Sequence, residues 1–169
     1  TGPAMVFVTT TEKDWIPVFA DEKCSQMFLN TFRNTLNQFQ ISLAAYVLMP
    51  SHFHALLGFK QIEQLSEAMQ SIKSISARKI KPLLSDDLLQ RFNENGSFQF
   101  WKPRFDDLII WSEEQFKIKM EYIHNNPVKG DMAKESTDYL YSSARDWLSN
   151  ETGMLQVDKD WKWLKEEVK

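Results

Sequence analysis

The stretch that decides the fold is ISLAAYVLMPSHFHALLGF, residues 41–59. It is a long apolar run interrupted by Pro50 and Ser51, which predicts either one strand with a bulge or a hairpin of two strands. His52 and His54 are one residue apart, so both imidazoles project from the same side of an extended strand. Phe53 points to the opposite side and can be buried. Two parallel imidazoles on a rigid strand form half of a metal site.

By itself, this spacing favours two ordinary, half-buried histidines with hydrogen-bond partners. A second motif, EYIHNNP at residues 121–127, gives the metal hypothesis more weight. Tyr122 and Asn126 are four residues apart and share a helix face. The phenol of Tyr122 is a possible nucleophile, and the amide oxygen of Asn126 is a hard ligand suited to Mg²⁺ or Mn²⁺. Taken separately, they are equally compatible with a hydrogen-bonded tyrosine and a helix-capping asparagine, and His124 faces away from Tyr122.

The flanking sequence predicts alternating strands and helices. Residues 6–11, 98–101 and 108–111 are rich in β-branched and aromatic residues and predict strands. Apolar residues at helical spacing predict helices over about 24–38 and 62–81, and a short helix is expected over 86–92. This order favours an α+β fold with helices packed on an antiparallel sheet.

Two further helices are predicted in the C-terminal third. Ser112 is a plausible N-cap, and the helix that it opens is expected to end near Asn126, because Pro127 disfavours helical geometry in the residue before it. The tail from Ser142 to Lys169 is predicted to be helical. Its packing residues would be Trp147, Trp161 and Trp163.

The composition describes an ordinary globular chain. With 169 residues and 43% hydrophobic content, it suits a single domain over 5–169 with a C-terminal helical extension. Residues 1–4 resemble a remnant of expression cloning and are left out of the fold prediction. The net charge of −3 means that any nucleic-acid binding must come from a local basic patch. Cys24 is the only cysteine, which fits a reducing cytoplasm, and no apolar run is long enough to span a membrane.

Four segments together resemble one known family. They are AYVLMPSHFH (45–54), WKPRFDD (101–107), EYIHNNPVK (121–129) and YSSA (141–144). In this order and spacing they are similar to the IS200-like transposases, the single-tyrosine branch of the HUH nucleases, and most of all to the REP-associated tyrosine transposase group. The resemblance spans roughly residues 6–147, which makes it far more specific than the histidine pair alone.

The resemblance implies a fold, a site and a reaction. The fold would be a ferredoxin-like or RRM-like α+β domain, with helices packed on one face of an antiparallel sheet. His52, His54 and Asn126 would bind Mg²⁺ or Mn²⁺, and Tyr122 would be the nucleophile. The reaction would cleave and rejoin single-stranded or hairpin DNA through a 5′-phosphotyrosine. The family includes dimers and monomers, so the oligomeric state stays open.

A DNA strand needs a basic track, and the sequence offers several candidates. An acid-free basic run lies between Glu67 and Asp86, and further basic residues flank the two motifs. Arg104 is the strongest candidate, because it sits between Trp101 and Phe105, whose rings could grip a base beside its guanidinium. The predicted DNA-binding residues are Arg104, Lys73, Arg78, Lys79, Lys102 and Lys129.

Two other functions compete with this hypothesis. One is a non-catalytic nucleic-acid-binding module with an RRM-like sheet, which loss of Tyr122 or of a histidine would favour; the chain keeps all of them. The other is a zinc hydrolase that uses His52 and His54. Zinc sites usually gather three strong nitrogen, sulfur or carboxylate ligands, and neither Asn126 nor Cys24 fits that role well.

Overall fold

The computed structural model describes residues 2–161. In chain order, its helices and longer strands are β1 (Ala4–Thr11), α1 (Glu22–Phe39), β2 (Ser42–Leu48), β3 (His52–Phe59), α2 (Leu65–Ile80) and α3 (Asp86–Arg91), then the two-residue strands β4 (Asn93–Glu94) and β5 (Ser97–Phe98), and finally β6 (Asp106–Ile110), α4 (Glu113–Lys129) and α5 (Ala144–Leu148). The main sheet has the strand order β2-β3-β1-β6 with antiparallel neighbours. This confirms the predicted α+β class. Over this part of the chain, no helix is both long and apolar enough to cross a membrane.

The run at residues 41–59 forms a hairpin of β2 and β3. The backbone N–H of Met49 donates to the carbonyl of His52 (2.9 Å), so Pro50 and Ser51 form the tight turn between the strands. On its other side, β3 pairs with β1, which places Thr9 opposite His54 and Thr11 opposite His52. The histidine pair therefore lies at one end of a central strand that neighbours support on both sides.

One face of the sheet is an apolar core covered by α1 and α2. Phe53 is 1% exposed and packs edge-on against Phe28 and Phe32, with ring centroids 4.9 and 4.8 Å away. Both rings come from the buried stripe of α1. From α2, Met69 and Ile72 belong to the same core. This layer agrees with the predicted packing of helices on the sheet, but α4 packs on the opposite face, so the helices are not confined to one face as predicted.

The opposite face is covered by α4. Its smaller core contains Met5, Phe7, Leu56 and Ile123, the last of these from the helix. The predicted end of this helix near Asn126 is wrong, because α4 continues through Pro127 to Lys129. Pro127 is buried in the last turns, where a proline removes one backbone donor but the turns beyond it still form, with the N–H of Gly130 donating to Asn126 (3.0 Å).

The described part of the C-terminal segment, residues 142–161, is mostly not helical. Within it, only Ala144–Leu148 forms a helix, and residues 149–161 are irregular. Gly153 and the polar residues around it are poor helix formers, and the segment is instead held by bonds such as Asp158 N–H to the Leu43 carbonyl (2.7 Å). Trp161 packs as predicted: a Cβ on Gly58 would come within 2.8 Å of its ring. Trp163 lies outside the described residues.

Three other local predictions need correction. The strand predicted at residues 98–101 is only the two-residue β5, paired with β4, and Trp101 forms an isolated bridge to Glu12. The strand predicted at 108–111 is β6, which begins earlier, at Asp106. Ala4, which the prediction set aside, is the first residue of β1 and pairs with Phe59.

Candidate active site

The site is built first from β3. His52 and His54 project from the same side, as predicted, with ring centroids 4.9 Å apart. His54 is 5% exposed and stacks on Phe7 of β1 at 5.5 Å, while His52, one residue from the turn, is half-buried. The strand therefore presents one enclosed imidazole and one that solvent reaches.

Thr9 on β1 orients the enclosed imidazole. Its Oγ1 lies 2.7 Å from Nδ1 of His54, directly across the β1–β3 ladder. The Nε2 of His54 is buried and has no hydrogen-bond partner. A hydroxyl can accept a hydrogen bond from Nδ1–H, and in that tautomer Nε2 keeps a free lone pair.

The second half of the site comes from α4. Tyr122 is 41% exposed and its ring centroid lies 5.3 Å from that of His54. One turn later, Oδ1 of Asn126 lies 3.3 Å from Nε2 of His52. The predicted shared face of Tyr122 and Asn126 thus packs over the histidine pair, and the four side chains meet at one end of the sheet.

The surroundings keep both imidazoles neutral. Burial lowers the pKa of His54 to about 3, with further lowering from the nearby charges of His52 and Lys119. The pKa of His52 is also lowered, mainly by burial. Lys119 lies over the rings of Phe7 and Tyr122, with Nζ 4.9 and 5.7 Å from their centroids. Neutral imidazoles with available lone pairs are the form that binds metals.

His124 plays a structural part. It is 3% exposed, and its Nε2 lies 2.8 Å from Oγ of Ser143. Ser143 Oγ in turn accepts a hydrogen bond from the backbone N–H of Tyr46 (2.9 Å). His124 thus ties α4 to β2 and points away from the site, as the sequence predicted.

The predicted basic residues fall into two groups. Lys102 and Arg104 are exposed on the loop before β6, and Lys73 reaches this loop from α2. The ammonium of Lys73 donates to the carbonyls of Lys102 (2.8 Å) and Arg104, and burial lowers its pKa. Lys73 therefore holds the loop in place.

The other basic residues lie further apart. Arg78 and Lys79 are exposed in the last turn of α2, on helix faces different from that of Lys73. Lys129 is exposed at the end of α4, three residues beyond Asn126. Of the predicted set, the structure brings Lys73, Lys102 and Arg104 together and leaves Arg78 and Lys79 apart.

The prediction that the Trp101 ring helps Arg104 to grip a base is wrong. Trp101 is 5% exposed, and its indole N–H donates to Oγ of Ser76 (3.0 Å) inside the core. The tryptophan faces inward because it packs with Phe19 and Phe28. Arg104 itself is exposed and has a positive φ of 67°.

Sequence reasoning missed three residues at the site. Thr9 and Phe7 are found only once β1 is paired with β3, since their side chains face His54 across the sheet. Trp15 is 55% exposed and lies edge-on to His52, with ring centroids 5.4 Å apart. Nothing in the local sequence around Trp15 predicts this contact with His52.

Two clefts lie away from this site. A cavity of about 610 Å³ is lined by residues of α1 and by 155–160, and a second of about 510 Å³ by residues 146–159. Over residues 2–161, no three His, Cys, Asp or Glu side chains group as a metal site. A zinc hydrolase would need such a third ligand, whereas at this site the neighbouring donor is the amide of Asn126.

Fold and site together define an α+β domain that carries a histidine pair and a tyrosine at one end of its sheet. The family model of the IS200-like transposases matches residues 4–126. This chain therefore belongs to the IS200-like transposase family. A search of curated proteins found no match.

Two solved structures share the fold. One is a REP-associated tyrosine transposase bound to a REP hairpin, with a TM-score of 0.71 and 18% identity over 94% of this chain and 95% of that one. The other is a protein of Deinococcus radiodurans assigned as a transposase, with a TM-score of 0.53 and 22% identity over 74% of this chain and 92% of that one. At these identities the likeness concerns the fold.

Proposed function

We propose that this transposase cleaves and rejoins single-stranded DNA through a 5′-phosphotyrosine, with Tyr122 as the nucleophile. The observation that carries the proposal is the unpartnered, buried Nε2 of His54 beside the exposed Tyr122. A buried polar atom without a partner is costly, so its retention calls for a ligand. The Tyr122 ring lies edge-on to the His54 imidazole and is open to solvent, as attack on a DNA strand requires.

The proposed reaction balances in atoms and electrons without a redox or group-transfer cofactor. The oxygen of Tyr122 attacks phosphorus and loses its proton, while the bond from phosphorus to the 3′ oxygen breaks and that oxygen leaves as a 3′-hydroxyl. The DNA 5′-phosphate stays joined to the tyrosine. A second 3′-hydroxyl then reverses the attack and restores both the tyrosine and a phosphodiester.

The site fits a divalent cation. His54 offers the free Nε2, His52 a neutral imidazole, and Asn126 an amide oxygen next to it. We propose that these three residues hold Mg²⁺ or Mn²⁺, which would polarise the scissile phosphate when bound. The mixed nitrogen and oxygen donor set suits such an ion, and the family in general depends on divalent metals.

The DNA partner is argued from charge and from the structural neighbour. The REP-associated transposase with the same fold was solved with a hairpin, and we propose single-stranded or hairpin DNA as the substrate here. Lys102 and Arg104 are exposed on a loop that a hydrogen bond from Lys73 holds in place. The ammonium of Lys102 lies over the Trp15 ring, and this ring contacts His52, so the loop lies near the site. Fixed cations of this kind position a phosphate backbone.

A covalent-capture assay tests the proposal. The protein would be incubated with Mn²⁺ or Mg²⁺ and a pool of hairpin oligonucleotides with randomised single-stranded flanks, one batch labelled at the 3′ end and one at the 5′ end. Denaturing gels would then reveal labelled protein. Because attack leaves the downstream fragment on the tyrosine, only the 3′-labelled pool is expected to label the protein.

Two variants accompany the assay. Tyr122→Phe is expected to abolish the adduct and to leave DNA binding nearly intact, since only the phenolic oxygen is lost. Tyr141→Phe, a half-buried tyrosine outside the site, is the matched control and should form the adduct. An adduct of undiminished yield in Tyr122→Phe would refute the nucleophile. DNA binding with no adduct under any metal condition would favour a non-catalytic binding module.

A further inference from the structure

We propose that Trp15 is a stacking platform for one unpaired nucleobase next to the reacting phosphate; this inference rests on the proposed function. Trp15 is 55% exposed, although tryptophan is usually largely buried. Its ring lies edge-on to His52, at 5.4 Å and 65°. An exposed indole thus contacts one of the two histidines, at the place where the proposed DNA substrate must pass.

The turn that carries Trp15 is strained and firmly anchored. Asp14 and Trp15 have φ values of 53° and 57°, a conformation that is rare for bulky residues and that tends to occur at functional sites. Lys13 anchors the turn: its backbone N–H donates to the Phe100 carbonyl (2.8 Å), and its ammonium lies 2.8 Å from the carboxylate of Glu94. These contacts hold the turn in place, and the exposed indole of the turn contacts His52 and Lys102.

Charge next to the ring selects the kind of ligand. The ammonium of Lys102 lies over the Trp15 ring, 5.8 Å from its centroid, and the lysine is exposed. A half-exposed ring with a cation over it suits a nucleotide, whose base stacks on the exposed part of the ring while its phosphate pairs with the charge. Stacking tolerates any base, so Trp15 would hold the strand at one nucleotide without reading its sequence.

The experiment compares two fluorescent strands of about twelve nucleotides, one oligothymidylate and one with abasic sites throughout. Both carry the same phosphates, and only the first has bases. Binding would be measured by anisotropy in EDTA at about 50 mM salt, so that neither cleavage nor metal contributes. The variants are Trp15→Ala, Trp15→Phe and, as a matched control, Trp111→Ala, whose tryptophan is 69% exposed just before α4.

The wild type is expected to prefer the strand with bases, and Trp15→Ala to lose roughly 5- to 150-fold in affinity for it. Affinity for the abasic strand should hardly change in that variant. Trp15→Phe should retain part of the preference, and Trp111→Ala all of it.

Two results would overturn the platform. One is equal affinity of the wild type for both strands. The other is an unchanged preference in Trp15→Ala, which would mean that Trp15 only supports His52. No DNA strand is cut in this binding assay, so its result does not depend on the tyrosine chemistry. A failure of that chemistry would appear in the capture assay instead.

Discussion

Phe53 and His54 are neighbours on β3, yet they belong to two different kinds of surface. Phe53 faces α1 and α2, where aromatic rings from α1 surround it. His54 faces α4, where it meets Thr9, Phe7 and Tyr122 and keeps an unpartnered nitrogen. One face of the sheet packs mainly by apolar contact around Phe53, whereas the other gathers an imidazole, a hydroxyl and a phenol around His54.

The difference shows how a small domain divides stability from chemistry. A strand with period-2 alternation can give every second residue to the core and the others to a site. The α1 and α2 face then supplies most of the buried apolar area, so the α4 face tolerates neutral imidazoles and an exposed tyrosine. Single substitutions on the two faces can test this division.

The largest effect is expected from substituting the two neighbours in turn. Phe53→Ala should lower the free energy of unfolding by about 3–5 kcal/mol, because a buried ring is lost from a close-packed core. His54→Ala should change it by only about 1 kcal/mol, since a lost hydrogen bond is offset by removal of an unpartnered buried nitrogen. Denaturant unfolding with urea measures both.

Adduct formation should show the opposite order. His54→Ala is expected to lose activity by on the order of 10³-fold, whereas folded Phe53 variants keep it. Where Phe53→Ala does not fold, Phe53→Leu serves as the milder variant. A destabilised His54→Ala with normal adduct yield would contradict the division between the two faces.

The sequence predicts the local geometry of the two faces better than the contacts between distant parts of the chain. The shared side of His52 and His54 and the shared face of Tyr122 and Asn126 follow from strand and helix periodicity, which are local properties. For residues 41–59 the sequence left open a bulged strand or a hairpin, and the structure forms the hairpin. The packing of α4 over β3 does not follow from periodicity, because it depends on contacts between distant parts of the chain. For the same reason the prediction for Trp101 is wrong: its ring was expected to be available to a base, but it faces inward and is buried against α1.

Thr9 illustrates what periodicity leaves out. Its role depends on the register between β1 and β3, and a threonine in a strand carries no sign of a polar partner. The resemblance to a family implies the proposed ligand set and the proposed nucleophile, but no residue that orients them. Supporting residues therefore emerge only from the structure.

The next largest effect concerns Thr9. Thr9→Val keeps the shape and removes the hydroxyl next to Nδ1 of His54, so the imidazole loses its fixed orientation. The affinity for Mn²⁺ should fall about 10- to 100-fold, as is typical when a hydrogen-bond partner of a ligand is removed. Titration of Mn²⁺ followed by electron paramagnetic resonance measures this without any reaction.

The controls separate orientation from general damage. Thr9→Ser should restore most of the affinity, because it returns the hydroxyl. Thr11→Val alters the equivalent position opposite His52, where it should have little effect. An unchanged affinity in Thr9→Val would show that His54 does not depend on this hydrogen bond for metal binding.

The last prediction tests the other face, where Glu12 is a buried carboxyl. Glu12 is 0% exposed; one of its oxygens accepts the N–H of Val18 (3.3 Å), and the other has no partner. Burial raises its pKa to about 10, from an ordinary value of 4.5, although the bond from Val18 lowers it slightly. The folded state therefore keeps a proton that the unfolded state releases above pH 4.5.

This sign makes the wild type less stable as the pH rises. Between about pH 5 and 9, the unfolded state binds fewer protons, so stability should fall relative to Glu12→Gln by up to about 1.4 kcal/mol per pH unit. Urea unfolding of both proteins at pH 6, 7 and 8 gives the slope of the difference. The exposed Glu67→Gln on α2 is the control and should follow the wild type. A flat difference would mean that Glu12 is ionised in the fold, and the face that packs by apolar contact would then hold a buried charge as well.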